Sequence, residues 1–200
     1  MLSRACRQPL LALALGAGLL GCTAAYKTDM LRKDVLTDAQ AAIAATQINH
    51  GDMTMEVSAD RPDTTYDPGQ PITLSVKVSK DAHVAILRVL PNGDTAIVFP
   101  NRAHPGSDIA AGQVLSVPAA DDAVKLAADK PGIVLFEFVA STAGDSWLFK
   151  RAPAEGADFA ELGVTTHALA RDIVGALKVG RGPDTVARYL TVRIAGRSLF

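Results

Sequence analysis

The strongest constraint on the fold is residues 82–101, AHVAILRVLPNGDTAIVFPN. The pair Asn92-Gly93 lies between two apolar runs and favours a tight turn, because both residues tolerate positive φ. We therefore predict an antiparallel hairpin with strands at 82–90 and 95–99, ended by Pro100, which lacks a backbone donor. Residues 82–90 are apolar on both faces, which indicates an interior strand or one whose second face is covered by a helix or tether.

Alternation of apolar and polar residues predicts further half-buried strands. These are residues 53–57, 72–79, 113–117 and 189–194, with 133–140 as a second two-faced apolar strand broken by Glu137, and 147–150 as its hairpin return. Helices are predicted at 37–48, where Thr37 and Gln40 form a capping box and 49–51 supply the stop, and at 166–178. The pattern predicts a mainly β fold, an antiparallel β-sandwich of about seven or eight strands with two small peripheral helices.

The N-terminus has the pattern of a targeting segment. Residues 1–7 carry two arginines and no acid, and residues 10–20 are an apolar run too short to span a bilayer. The run ends in Leu-Leu-Gly-Cys22, which resembles the bacterial lipobox. The resemblance implies that residues 1–21 are a signal peptide that is removed, and that Cys22 is acylated. The alternative is an ordinary secretory signal in which Cys22 is incidental.

Cysteine usage favours the lipobox. Cys6 lies in the removed segment, so acylation accounts for a single mature cysteine in an oxidising compartment. Two or three acyl chains hold a protein firmly to a membrane. Residue 23 is Thr and not Asp, which by resemblance to enterobacterial lipoproteins implies the outer membrane, and we expect the chain to face the periplasm. Residues 22–36 are then a tether, 37–51 a helical segment and 52–200 the β-sandwich domain.

A series of short motifs follows one order along the chain. They are Tyr66-x-Pro68-Gly69, Ser79 to Val84, Asn92-Gly93, Phe99-Pro100-Asn101, Ala111-Gly112, Val117-Pro118 and Pro131-Gly132. In that order and spacing they resemble the bacterial family catalogued as domain of unknown function four-three-eight-four, over about residues 66–140. The resemblance implies a β-rich module found on lipoproteins, and beside kinase or peptidase domains in longer chains. It implies an accessory or binding role and supplies no catalytic residue.

The sequence contains few candidates for a catalytic, metal-binding or nucleic-acid-binding site. Lys and Arg number 20 against 21 Asp and Glu, with no basic block, so a nucleic-acid partner is not expected. The histidines at 50, 83, 104 and 167 lack metal-ligand spacing, although His83 with Asp81 and His104 with Asp108 leave a shallow metal site open. The carboxylates at 155, 158 and 161 leave a glycosidase pair open, without an implied apolar pocket. We predict no catalytic residue, metal or cofactor.

We expect a lipid-anchored envelope lipoprotein that acts as a non-catalytic binding or assembly module. The loops at 61–71 and 101–112 are the predicted docking surfaces for an envelope protein partner, because recognition usually lies on loops of a rigid scaffold. A docking role for the helix at 37–48 stays open. The alternatives are a lipoprotein that binds or hydrolyses peptidoglycan or another carbohydrate, and a secretion-system assembly lipoprotein.

Overall fold

The computed structural model describes residues 35–46, 48–177 and 183–196, which belong to one compact unit. The predicted signal peptide, Cys22 and the tether up to residue 34 lie outside the described residues. The elements of the described chain are α1 (Asp38–Ala44), β1 (Asn49–His50), β2 (Met55–Ala59), β3 (Thr65–Tyr66), β4 (Leu74–Val78), β5 (Ala82–Val89), β6 (Thr95–Phe99), β7 (Asp108–Ile109), β8 (Val114–Val117), β9 (Gly132–Ser141), β10 (Ala160–Glu161), α2 (Thr166–Leu177) and β11 (Thr185–Ile194).

The strands form two sheets. The small sheet has the order β2-β4-β8, and the large sheet has the order β1-β11-β9-β5-β6-β10, with β3 beside β11 and β7 beside β5. Strand pairs are antiparallel except for β3 with β11. The predicted hairpin is confirmed: Val89 pairs with Thr95, and Gly93 adopts a φ of 90° in the turn. The mainly β prediction is therefore confirmed.

The first hydrophobic core lies between the two sheets. The small sheet contributes alternate residues of β4, and the large sheet contributes one face of β5 and β9. Buried members of this core include Leu74, Val76, Val78, Val84, Ile86, Val134, Phe136, Phe138 and Ala140. The period-two pattern that predicted β4 is thus the pattern of its burial.

A second core lies on the opposite face of the large sheet, beneath the two helices. Strand β5 contributes Ala85, Leu87 and Val89 to it, and α1 and α2 contribute Ile43, Leu169 and Ile173. The helices are therefore an outer layer, as expected for a strand that is apolar on both sides. Burial of this second face explains why 133–140 is also apolar on both sides.

Three local predictions need correction. Helix α1 begins at the predicted capping box, in which Gln40 N donates to Thr37 Oγ1, but it ends at Ala44 and not at Ile48. Asn49–His50 is not a simple stop, because it pairs with β11 at the sheet edge. Residues 147–150 do not return as a strand: Trp147–Phe149 is a 3₁₀ turn, whose Leu148 and Phe149 are buried in the second core.

Candidate functional site

The two predicted docking loops lie at opposite ends of the small sheet. The loop at 61–71 connects at the Leu74 end of β4, where Ala59 pairs with Leu74. The loop at 101–112 reaches the other end, where Gly112 N donates to Val78 O at 2.8 Å. A five-residue strand spans roughly 14 Å between its ends. The structure therefore does not bring these loops together into one docking surface.

The loop at 101–112 is held from its base by Asn101, which is 1% exposed. Asn101 Oδ1 accepts from the backbone N–H groups of Ala103 and His104, both at 2.9 Å, and Nδ2 donates to Val98 O at 3.0 Å. Asn101 N also donates to His104 O at 2.9 Å. Residues 102–106 are exposed. A buried polar hub thus fixes the backbone of a loop whose tip faces solvent.

Contacts with two carboxylates hold the same loop on both flanks. Arg102 donates to Asp158 Oδ1 through Nε at 3.0 Å and through Nη2 at 2.7 Å. His104 Nδ1 lies 3.3 Å from Asp122 Oδ2, so its carboxylate partner is Asp122 and not Asp108. The loop at 101–112 is therefore anchored to two separate segments of the chain.

The loop at 61–71 is held through Tyr66, which is buried. Its hydroxyl donates to Asp60 Oδ1 at 2.7 Å, and the same carboxylate oxygen accepts from Thr73 N at 2.9 Å. The Arg61 guanidinium lies 5.4 Å from the Tyr66 ring centre. Burial and the Asp60 carboxylate raise the pKa of Tyr66 to about 12. These contacts give the tyrosine a structural role at the loop base.

A cleft of about 370 Å³ lies beside β7 and includes His83, Asp108 and Thr142 in its lining. His83 Nδ1 lies 3.2 Å from Ser107 Oγ and 3.1 Å from Asp108 Oδ1. A Ser-His-Asp relay needs the hydroxyl and the carboxylate on opposite ring nitrogens. Here both share Nδ1, and Nε2 faces the backbone of Gly144. Ser107 and Asp108 orient the imidazole of His83, and the three residues do not form that relay.

The other groups considered for chemistry are dispersed. Asp81 Oδ1 accepts from Ala111 N at 2.8 Å and fastens the loop end. His50 and His167 are exposed on β1 and α2. In the part of the chain that the structure describes, no group of three or more His, Cys, Asp or Glu side chains is placed to hold a metal ion. Of the three carboxylates at 155–161, Asp158 pairs with Arg102 and Glu161 with Arg88.

Sequence reasoning missed Glu137 as a candidate, although the signal was present as a single acid in a two-faced apolar strand. Its side chain is fully buried on β9. Oε1 lies 3.3 Å from Thr46 Oγ1, and Oε2 has no hydrogen-bond partner among the described residues. Burial raises the pKa of Glu137 to about 8. With this pKa the carboxyl group is mostly protonated at pH 7.

The hydrogen bonds around Thr46 agree with a neutral Glu137. Thr46 Oγ1 lies 2.7 Å from Ile43 O, which accepts the single hydroxyl proton. The threonine oxygen is then free to accept a proton from a protonated Glu137. Nearby, Gln40 Nε2 donates to Val89 O at 3.1 Å and to Ile133 O at 2.7 Å. Polar contacts therefore join α1 and the segment after it to the large sheet.

A second cleft of about 370 Å³ lies at the hairpin end of the large sheet. Arg88, the turn residues Asn92 and Asp94, and residues 127–131 line it. Arg88 Nη2 donates to Glu161 Oε1 at 3.3 Å, and Arg88 Nε is buried without a partner among the described residues. Burial lowers the pKa of Arg88. This cleft was not predictable from the sequence, because residues about 40 positions apart line it.

The fold and these contacts define a two-sheet β domain with a helical outer layer, stabilised by buried polar hubs at its loops. Residues 65–143 match the model of the family described as "Domain of unknown function (DUF4384)". This segment is therefore similar to that family, and the predicted resemblance over 66–140 is confirmed. Comparisons with curated proteins and with solved structures gave no match.

The matched segment runs from β3 to the end of β9. It includes β5, which contributes lining residues to both clefts. Helix α1, helix α2 and β11 lie outside it. Within the described ranges, no helix is long and apolar enough to cross a membrane.

Proposed function

We propose that the chain is a lipid-anchored envelope lipoprotein whose β domain is a non-catalytic binding or assembly module for a protein partner. The proposed binding role rests on the structure of the loop at 101–112. Its base is fixed by the buried Asn101, and residues 102–106 are exposed. A loop that is already ordered loses less conformational entropy when a partner binds it. The loop at 61–71, at the other end of the small sheet, is not part of this surface.

The anchoring role is supported by the sequence. The basic and apolar run that ends in Cys22 has the composition and order of a lipoprotein signal. Replacement of Cys22 by Ala removes the acylated sulfur, so we expect the mutant chain to remain in the soluble fraction of lysed cells after a salt wash. A mutant chain that still sediments with membranes under salt wash contradicts the anchor.

Site-specific photocrosslinking tests the docking role. A photoreactive amino acid at His104, in the exposed loop tip, is expected to give one reproducible protein adduct in intact envelopes. The same group at Lys77, which is exposed on the outer face of the small sheet, is the matched control. Addition of Asn101→Ala releases the loop base and is expected to weaken the adduct from position 104. An adduct of equal yield from both positions, or none from 104, contradicts the docking surface.

The carbohydrate alternative has its own assay. Purified peptidoglycan incubated with the mature chain is expected neither to retain it on sedimentation nor to release soluble fragments. Saturable retention, or fragment release that exceeds a heat-denatured control, favours the alternative lipoprotein class over protein docking.

A further inference from the structure

The cleft at the hairpin end combines apolar walls with a partly buried cation. The apolar lining residues are Leu90, Pro91, Ala127, Ala128 and Pro131. Arg88, on β5, also lines the cleft, and its side chain is 15% exposed. Binding clefts commonly have this composition, with apolar walls and a few polar groups that fix the orientation of a ligand.

Arg88 has unused hydrogen-bonding capacity. The guanidinium group has five N–H donors in a planar fork. Among the described residues its hydrogen bond is a single contact of 3.3 Å to Glu161, whose side chain is 65% exposed, and Nε is buried without a partner. A partly buried guanidinium gains most from a carboxylate that accepts two parallel hydrogen bonds. Arg88 therefore has N–H donors left for a second carboxylate.

The surroundings hold the guanidinium in place. Its central carbon lies 5.8 Å from the centre of the Phe159 ring, within the range of a cation–π contact. Arg88 pairs with Ala96 across β5 and β6, and Ala96 pairs with Glu161 across β6 and β10, so the three residues form one row across the sheet. A cation on a sheet loses little conformational freedom when it binds a ligand.

We propose that this cleft binds a peptide carboxylate, with Arg88 as the residue that receives the anion and the proline and alanine walls as the contact for a small apolar side chain. A C-terminal carboxylate and an Asp or Glu side chain share this chemistry. The site lies at the opposite end of the domain from the loop at 101–112, so its test is independent of the proposed docking and anchoring roles.

Two acids in the lining reduce the expected affinity. Asp94 accepts from Asn92 Nδ2 at 2.6 Å, and its carboxylate also attracts the Arg88 guanidinium. Asp129 is exposed beside Lys130 in the lining and repels an incoming carboxylate. Its removal therefore supplies a variant that should bind more tightly, which complements a variant that should bind less.

The test is an NMR titration of the ¹⁵N-labelled full-length chain in detergent. The probes are N-acetyl-alanyl-alanine, its C-terminal amide, and N-acetyl-alanyl-glutamic amide, which carries only a side-chain carboxylate. We expect saturable shifts of the amide signals of Leu90, Asn92 and residues 127–130 with the free acid and none with the plain amide. Saturation by the glutamic peptide identifies a side-chain carboxylate as a ligand too, and its absence restricts the site to chain termini.

Variants assign the binding to the guanidinium. Arg88→Gln is expected to weaken binding by on the order of tenfold, the value of one charge-assisted hydrogen bond. Asp129→Asn is expected to tighten it about threefold, because one repelling charge is removed. Arg171→Gln, at an exposed arginine of α2, is the matched control and should bind as the unmodified chain does.

Three results overturn the proposal. They are the absence of saturable shifts with any carboxylate probe, equal shifts with the plain amide, and unchanged affinity in both Arg88→Gln and Asp129→Asn. If Arg88→Gln loses the dispersed spectrum of a folded chain, the decision passes to Asp129→Asn, whose exposed side chain is not needed for the core.

Discussion

Replacement of Glu137 by Gln is expected to change how the stability of the domain depends on pH. Burial raises the pKa of this carboxyl group from 4.5 to about 8. The folded state therefore binds its proton more tightly than the unfolded state does. The stabilisation is complete below pH 4.5, and it is lost as the pH rises from there to about 8.

The size of the effect follows from the width of that window. Each pH unit within it costs roughly 1.4 kcal/mol of unfolding free energy, so the loss across the whole window approaches about 5 kcal/mol. That is a large share of the ~5–15 kcal/mol that stabilises an ordinary domain. Gln has a similar shape and cannot ionise, so the variant keeps the contact with Thr46 and loses this pH dependence.

The assay is urea-induced unfolding at a series of pH values from 5 to 8. The difference in unfolding free energy between Glu137→Gln and the unmodified chain should rise in favour of the variant by roughly 1.4 kcal/mol per pH unit. Glu155→Gln, at an exposed acid, is the matched control and should follow the unmodified chain. Parallel stability curves for Glu137→Gln and the unmodified chain would refute the buried, neutral carboxyl group.

Substitutions at three further positions test other contacts. Thr46→Val removes the hydroxyl between Ile43 O and Glu137 and should cost about 1–3 kcal/mol in urea unfolding, whereas Thr46→Ser should cost less. Asn101→Ala should cost about 2–3 kcal/mol and should speed hydrogen exchange at the Ala103 and His104 amides; unchanged exchange there would contradict its role as a hub. Leu87→Ala opens a cavity beneath the helices and should cost about 2–5 kcal/mol in thermal or urea unfolding, and a cost below 1 kcal/mol would argue against the second core.

The central hairpin was predictable because its information is local. Asn92-Gly93 specifies the turn, and the apolar residues on both faces of β5 require cover on both sides. The structure supplies that cover with the small sheet on one side and helices α1 and α2 on the other. The capping box at Thr37 is local in the same way, since its two members are three residues apart.

The features of the fold and the site that were not predictable depend on contacts between distant residues. Asn49–His50 becomes a strand because β11 offers a free edge, and Leu148 turns into the second core instead of continuing a hairpin. The separation of the two loops follows from strand register, which a single sequence does not specify. Arg88 reaches Glu161 across 73 positions of the chain, so the pattern around either residue gives no indication of the other.

The environment of Glu137 on β9 was not predictable from the sequence either. The sequence shows only that a single acid lies within an apolar strand, which is unusual. Whether its carboxyl group faces a cation, water or the underside of a helix depends on the packing of α1 and the residues after it. The structure places Thr46 beside it, 91 positions away, and the neutral state follows from that neighbourhood.

Mass spectrometry of the mature N-terminal peptide tests most directly the proposal that lipid holds this domain at a membrane. We expect a chain that starts at Cys22, with a diacylglyceryl group on the sulfur and a third acyl chain on the α-amino group. A free thiol at Cys22, or a mature chain that starts at another residue, would contradict it.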